Sequence, residues 1–265
     1  MARNGLIKSG AHSKPRRPAG DTVAALARGI AVLRCFGEGA GTLVTDVLGG
    51  PSAPKTGANT WVSSPLGTAR FFDGASYADF GSCPNLDSIA TPRGVTIDAY
   101  FRQEDFTNAF MCCKYSTSYH FGLYTQGGIL YCWDSSTAHV GPSYAAATWH
   151  RATIAAGSNN ILFLLNGGAT WHGSGATINQ KTESFAICTR GSLHDYTWTG
   201  NLGWLTIWPF EMSLEQARHI HANPFCWLGV PDLAAMWAAG GAAAGSRLFT
   251  QRNRRSVIAP GVSRC

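Results

Sequence analysis

Carboxylates come first among the residues that could do chemistry. A glycosidic bond is cut by two of them, held roughly 5–10 Å apart across the bond. On a β-strand such a pair needs alternate spacing, because adjacent residues point to opposite faces. In this chain the strand-like segment GVTIDAYFR (94–102) carries Asp98 alone, and the next acids, Glu104 and Asp105, are adjacent. No E-x-D or E-x-x-x-E pair falls on a strand pattern, so hydrolysis is not expected and no residue is assigned a catalytic role. Serine-type acyl transfer needs a G-x-S-x-G elbow. HGSGA (172–176) is not one and reads as a glycine-rich turn. His219 and His221 stand two apart on a helical segment and share no face. His120, His139, His150, His172 and His194 are scattered, so zinc is not indicated. The eight cysteines contain no C-x-x-C pair. The N-terminus lacks the apolar stretch of a secretory signal, so reduced, buried thiols are expected. Cys112 and Cys113 should lie on opposite faces of one strand.

The elements that must position these residues are mostly strands. GVTIDAYFR alternates Val95, Ile97, Ala99 and Phe101 with Thr96, Asp98, Tyr100 and Arg102, the pattern of a half-buried strand. Further short apolar runs lie at 29–36, 109–114, 119–124, 128–133, 149–156, 160–167, 184–190 and 200–208. ARFFDGASYADFG (69–81) reads as strand, Asp73-Gly74 turn, strand, and Gly127-Gly128 and Gly157-Ser158-Asn159 mark hairpins. About eleven strands with turns every 8–12 residues predict an antiparallel sandwich. The G-x-G-x-G near 37–41 is followed by no helix pattern and is no dinucleotide site. MSLEQARHIHANPF (212–225) is different. Ser213 and Gln216 form a capping box, Glu215 sits in the first turn, Arg218, His219 and His221 sit later, and Asn223-Pro224 ends the segment. Leu214, Ala217 and Ile220 would be its inward face. PDLAAMWAA (231–239) predicts a second short helix.

Charge divides the chain differently. Of 265 residues, the first twenty hold Arg3, Lys8, Lys14, Arg16 and Arg17 and no acid. The last 25 hold Arg247, Arg252, Arg254, Arg255 and Arg264 and no acid. The overall charge of +6 therefore hides a mildly acidic body between two basic arms. Such arms suit docking on an acidic protein surface. They lack the interleaved aromatics of nucleic-acid binders, so nucleic acid is not the expected partner. No run approaches 18 apolar residues, so no membrane span is predicted. The organisation expected is a basic arm over 1–27, a sandwich over 28–226, and a short helix with a basic tail over 227–265.

Five segments, in order, resemble one family. GEGAGTLVTDVLGG is similar to the first loop of LamG-like jelly rolls of the concanavalin A-like lectin/glucanase class. WVSSPLGTARFFDGASYADFG resembles that family's Trp, Phe-Asp-Gly and Tyr strand, and GVTIDAYFR its next inner strand. WHRATIAAGSNNILFLLNG resembles its Trp-His hairpin, and GNLGWLTIWPFEMSLEQARHIHANPF its closing strand and short helix. The basic, Pro-containing start with LARG (26–29) is similar to members encoded by tailed phages.

The resemblance implies an all-β, two-sheet antiparallel jelly-roll sandwich. Its short helix would cover an end of the sandwich as a structural plug. It implies a non-enzymatic virion protein, a capsid decoration, head fibre or tail component. The arms would anchor it to other virion proteins, and the jelly roll would be displayed to host-surface glycans. It could also form a homo-oligomer. The alternative is a carbohydrate-binding lectin-like module with no virion role. Sugar-binding relatives stack pyranose faces on exposed aromatics, and Trp133, Trp171, Tyr196 and Trp198 lie near loops where they could do so. The competing use of each is to fill the core. No organic cofactor is implied. Relatives also hold calcium with loop oxygens, and here Asp46, Asp73 and Asp79 sit near the matching segments. Against calcium, VLGGPSAPK replaces the family's Gly/Asn-rich stretch, and an Asp-Gly turn forms without metal.

Overall fold

The computed structural model describes residues 60–115 and 117–223 in full and residues 32–35, 43–44 and 53–56 as backbone. The charged residues of both arms, the 231–239 helix, the two predicted domain boundaries, Asp46, Cys226 and Cys265 lie outside the described residues.

The described strands run β1 (Val32–Cys35), β2 (Leu43–Val44), β3 (Ala53–Thr56), β4 (Trp61–Ser64), β5 (Gly67–Asp73), β6 (Tyr77–Ser82), β7 (Val95–Gln103) and β8 (Ala109–Tyr115). They continue as β9 (Tyr119–Gln126), β10 (Ile129–Trp133), β11 (Ala138–Ser143), β12 (His150–Ala156), β13 (Ile161–Leu165), β14 (Gly168–His172), β15 (Ser184–Ile187) and β16 (Thr199–Trp208). Two short helices, α1 (Pro84–Asp87) and α2 (Leu214–Ala222), complete the set. One sheet has the order β14-β13-β12-β7-β16-β5-β4, with β1 also paired to β16. We call it the front sheet. The back sheet has the order β11-β10-β9-β8-β15-β6-β3-β2. The pairs are antiparallel, for example β7 with β12 and β16, and β9 with β8 and β10. This is the two-sheet sandwich that the strand pattern predicts.

The core lies between the sheets. Phe72, Ile97, Phe101, Ile154, Phe163, Leu205 and Ile207 of the front sheet meet Met111, Phe121, Leu123, Leu130, Phe185 and Ile187 of the back sheet, all buried. Each such side chain contributes about 1.5–3 kcal/mol by leaving water. The hairpins predicted at Gly127-Gly128 and 157–159 join β9 to β10 and β12 to β13. Gly127 and Gly128 have φ of +57° and +77°, which the tight turn demands and side chains resist.

Three expectations need correction. The Asp73-Gly74 turn is no hairpin, because β5 and β6 belong to different sheets and the turn carries the chain from one layer to the other. The stretch around 49–58, which its Pro/Gly-rich composition predicts to be a loop, contains β3. β7 is buried on both faces rather than half-buried, since Thr96, Asp98 and Tyr100 are covered from outside.

Trp149 and Trp204 stack on Tyr100, and the backbone at 210–212, which leads into α2, bonds Thr96. The α2 capping box forms, with the Ser213 hydroxyl accepting from the Gln216 amide at 3.2 Å and the Gln216 side chain accepting from the Ser213 amide at 2.9 Å. Ala217 and Ile220 are buried and Leu214 is half-buried, as the periodicity predicts. The helix packs on β12 and β13, against the outer surface of the front sheet, rather than over an end of the sandwich. Outward-facing Leu162 and Leu164 of β13 are fully buried, so the sandwich needs a cover there.

Candidate binding site on the outer aromatic face

The two outer faces are built from different chemistry. On the front sheet, the strand acid Asp98 is enclosed. Arg151 donates to it through Nε at 3.1 Å and Nη2 at 3.0 Å. The Thr153 hydroxyl donates at 2.6 Å and the Trp204 indole at 2.8 Å. Arg151 also donates to the His221 carbonyl of α2 at 2.6 Å, so the buried pair ties the helix to the sheet. Trp204 reaches Asp98 because β16 carries a bulge between Leu202 and Trp204, at Gly203, where the Tyr100 ring occupies the space a Cβ would fill. Burial, with Arg151 beside it, holds the His221 imidazole below its usual range. Asp98 is thus a structural anchor.

The other acids are also engaged. Glu104 pairs with Arg102 at 3.2 Å and accepts from Asn201 at 2.5 Å. Asp105 accepts from the Thr107 amide and hydroxyl.

The back sheet presents aromatic rings on its outer face. Phe110, Tyr115, Tyr119, Tyr124, Tyr131 and Trp133 gather around Cys113. Tyr119 and Trp133 stack with centroids 4.4 Å apart, and Phe110 and Tyr124 meet at 4.7 Å. Strict alternation would not bring these residues to one face. Two bulges do it. One, between Phe110 and Cys112, turns Met111 and Cys112 together into the core and leaves Phe110 outside. The other, between Lys114 and Tyr115, lies opposite His120 on β9. It sends His120 inward, where Nε2 meets the Ile89 carbonyl at 2.6 Å, and keeps Tyr119 on the outer face. Gly122 sits centrally with no side chain; a Cβ there would lie 3.2 Å from the Phe110 ring.

A loop closes one side of this face. Residues 188–198 include Cys188, His194 and Tyr196 with φ of +63°, +53° and +49°, a backbone region that non-glycine residues occupy only when their surroundings hold them there. Arg190 and Asp195 in this loop form a two-pronged ion pair, with Nε to Oδ1 at 2.7 Å. The guanidinium lies 4.8 Å from the Tyr196 ring centre and 5.1 Å from that of Tyr115, and donates to the Tyr119 hydroxyl at 3.3 Å. Tyr196 is 46% exposed and packs edge-on to Phe110 and Tyr124. Burial raises the Tyr119 and Tyr124 phenols, so both stay neutral and able to donate.

Of the four aromatics named as stacking candidates, Trp133 and Tyr196 therefore meet on this face. Trp171 lies elsewhere, half exposed on β14. Trp198 does not qualify: it is fully buried, edge-on to Phe101, and fills the core as a large ring between two sheets does. Of the proposed calcium ligands, Asp73 and Asp79 are described, and each is engaged by neighbouring groups. Asp73 accepts from the Ala75 amide in its turn. Asp79 binds Ser184 and the Gly81 amide through one oxygen and His194 at 2.7 Å through the other. Among the described residues no group of three His, Cys, Asp or Glu side chains is arranged to hold a metal ion. No described helix is long and apolar enough to cross a membrane. Among the described cysteines with placed side chains, Cys112, Cys113, Cys132 and Cys188 are free thiols, and they and Cys83 are buried. Cys112 faces the core and Cys113 the aromatic face, as adjacency predicts.

Sequence reading missed Asp134. It is buried beside the β10–β11 turn and accepts from the Ser136 and Thr137 amides, from His139 at 2.9 Å and from the Thr177 amide at 2.7 Å. Burial alone would raise this carboxyl, but the bonds from His139 and those amides hold it well below the usual range. The signal was present in Asp-Ser-Ser-Thr, a side chain positioned to bind its own turn.

No family model and no curated protein matches the chain. Solved structures do. The sialidase of Trypanosoma rangeli in complex with sialic acid superimposes with a TM-score of 0.54 at 12% identity, over 73% of this chain and 33% of that one. Domain 4 of AbnA, a GH43 extracellular arabinanase from Geobacillus stearothermophilus, in complex with arabinotriose, gives 0.56 at 14% identity over 72% and 98%. The binding domain of botulinum neurotoxin DC in complex with SialylT gives 0.56 at 9% identity over 74% and 52%. The likeness is one of fold, a two-sheet β-sandwich. The chain spans about a third of the sialidase.

Proposed function

We propose that this protein is a non-enzymatic, lectin-like module that binds saccharides on the outer face of the back sheet. The observation that carries the reading is the convergence of Trp133, Tyr119, Tyr131 and Tyr196 on one uncovered surface beside Arg190 and Asp195. Flat aromatic rings take the apolar face of a pyranose, while phenols, guanidinium and carboxylate supply the directed hydrogen bonds that orient it. The strained loop 188–198 fits a binding element held on a rigid sheet. Two of the solved sandwiches of like fold are complexes with saccharide ligands, arabinotriose and SialylT, which supports the same reading. The enclosure of Asp98 favours binding over hydrolysis, because its carboxylate is already engaged by Arg151, Thr153 and Trp204. The finer assignment is a virion component of a tailed phage, anchored by its basic arms. It rests on the charge of residues 1–20 and 241–265 and on the family resemblance.

A glycan array on the full chain tests the binding reading. Binding should fall about tenfold on Trp133→Ala and on Tyr196→Ala, with Trp171→Ala unchanged. An array with no ligand, or a ligand insensitive to both changes, would overturn it. The virion assignment is tested separately by mass spectrometry of purified particles and by deleting residues 1–20. Absence from particles refutes the assignment, and normal occupancy without residues 1–20 refutes the N-terminal arm as the anchor.

A further inference from the structure

At the β11/β14 end of the sandwich, both sheets stop at an edge strand, and the two edges are finished differently. β11 carries Pro142 and sits beside a register irregularity against β10. Both devices discourage pairing with another chain. β14, Gly168-Ala-Thr-Trp-His172, has neither, and its first four residues are exposed. No Asp, Glu, Lys or Arg occurs between Arg151 and Lys181. Trp171 is 50% exposed there.

The hairpin tells which backbone groups are free. β13 and β14 are joined by Asn166-Gly167, with φ of +48° and +89° as the two-residue type I′ turn requires. Such a turn makes the flanking Leu165–Gly168 pair a hydrogen-bonded one, and by alternation Phe163–Thr170 and Ile161–His172 as well. The N–H and C=O groups of Ala169 and Trp171 therefore point away from β13, along the open edge.

We propose that β14 pairs antiparallel with β14 of a second copy of this chain, about a two-fold axis at Thr170. In that register Ala169 and Trp171 exchange backbone hydrogen bonds with the partner's Trp171 and Ala169, which uses the free groups. Each large ring lies beside a small side chain, and the hydroxyls of the two Thr170 residues meet at the axis. Like must face like in a two-fold contact, and this strand has no charge to repel its copy. The axis of an antiparallel pair stands normal to the sheet, so both back sheets, and both aromatic faces, point the same way. The pairing does not depend on what those faces bind.

Sedimentation velocity of the full chain over a range of concentrations should show a species of twice the 28.2 kDa chain mass. Thr170→Lys places two ammonium groups at the axis and should weaken association by about tenfold or more. Ala169→Pro removes an edge donor that β13 does not use, and should do the same with an unchanged circular dichroism spectrum. Thr170→Cys should give an oxidant-dependent covalent dimer beyond that of the unchanged chain, whereas Trp133→Ala should leave the mass unaltered. A monomer at every concentration overturns the proposal. So does a dimer that survives Thr170→Lys and gains no Thr170→Cys cross-link.

Discussion

The two outer faces of the sandwich start from similar residues and end in opposite roles. Both carry large aromatics and both carry an Arg–carboxylate pair. On the front sheet, Arg151 and Asp98 are buried under α2, and Trp204 and Tyr100 stack beneath cover at 4.5 Å. On the back sheet, Arg190 and Asp195 stay at the surface and the rings around them are half open. The difference lies in what the chain lays on top. A helix delivered by β16 closes one face, so its polar groups must satisfy each other completely. Nothing among the described residues closes the other, where Arg190 and Asp195 pair within reach of water. Faces of similar composition thus differ in whether they are covered.

Substitutions should break this contrast in graded steps. Asp98→Ala has the largest expected effect. It leaves the Arg151 guanidinium buried without its partner and frees Thr153 and Trp204, at a cost of about 3–5 kcal/mol in urea unfolding. The equivalent change on the open face, Asp195→Ala, should cost under about 1 kcal/mol, because water replaces the lost partner. Equal losses at the two sites would erase the distinction.

Acid should act next. Burial, helped by nearby Lys114 against the opposing bond to the Ile89 carbonyl, pulls the His120 imidazole down to about 4 from 6.5. Its folded value is depressed, so the unfolded chain takes up the proton first. The stability it contributes is whole above pH 6.5 and is lost as pH falls from 6.5 toward 4. The loss is about 3 kcal/mol. His221, also depressed by burial, shifts stability in the same direction from the other face. Below about 3.8 Asp134 adds to the loss as its depressed carboxyl protonates. His120→Gln should flatten the profile between pH 6.5 and 4, read as urea midpoint against pH; an unaltered slope would mean another group controls it.

The helix cover should yield in smaller amounts. Ile220→Ala, fully buried, should cost about 2–4 kcal/mol, and half-buried Leu214→Ala about half of that. Ser213→Ala should cost about 1 kcal/mol through the lost cap. Thermal melts check all three, and an Ile220→Ala protein with an unchanged melting temperature would show that α2 is not the cover. Tyr196→Ala, with about half of its ring exposed, should move the melting temperature least while lowering binding about tenfold.

The strand runs, the hairpin glycines, the capping box and the inward set Val95, Ile97, Ala99 and Phe101 were legible because each depends on residues within one turn or one strand. Five strands were not, β3 among them, because it lies in a Pro/Gly-rich stretch. β4 and β14 have too few apolar residues to show a period, β2 is two residues long, and β11 is interrupted by Gly141 and Pro142. The aromatic face was legible only as separate residues. Read by alternation, Phe110 shares a face with Cys112 and Lys114; in the fold it shares one with Cys113 and Tyr115, since a bulge adds one residue and reverses the count.

Sequence alone therefore determined that this chain builds an antiparallel sandwich with one capped helix, because alternation, turn residues and caps are local and repeat along the chain. Only the tertiary structure decided which surface the helix covers, that Asp98 is an anchor, that Trp198 is core while Trp133 and Tyr196 meet on one face, and that β14 is the last strand of the front sheet among the described residues. Those outcomes depend on bulges, layer crossings and cover from residues distant in sequence, where no local pattern of side chains carries the information.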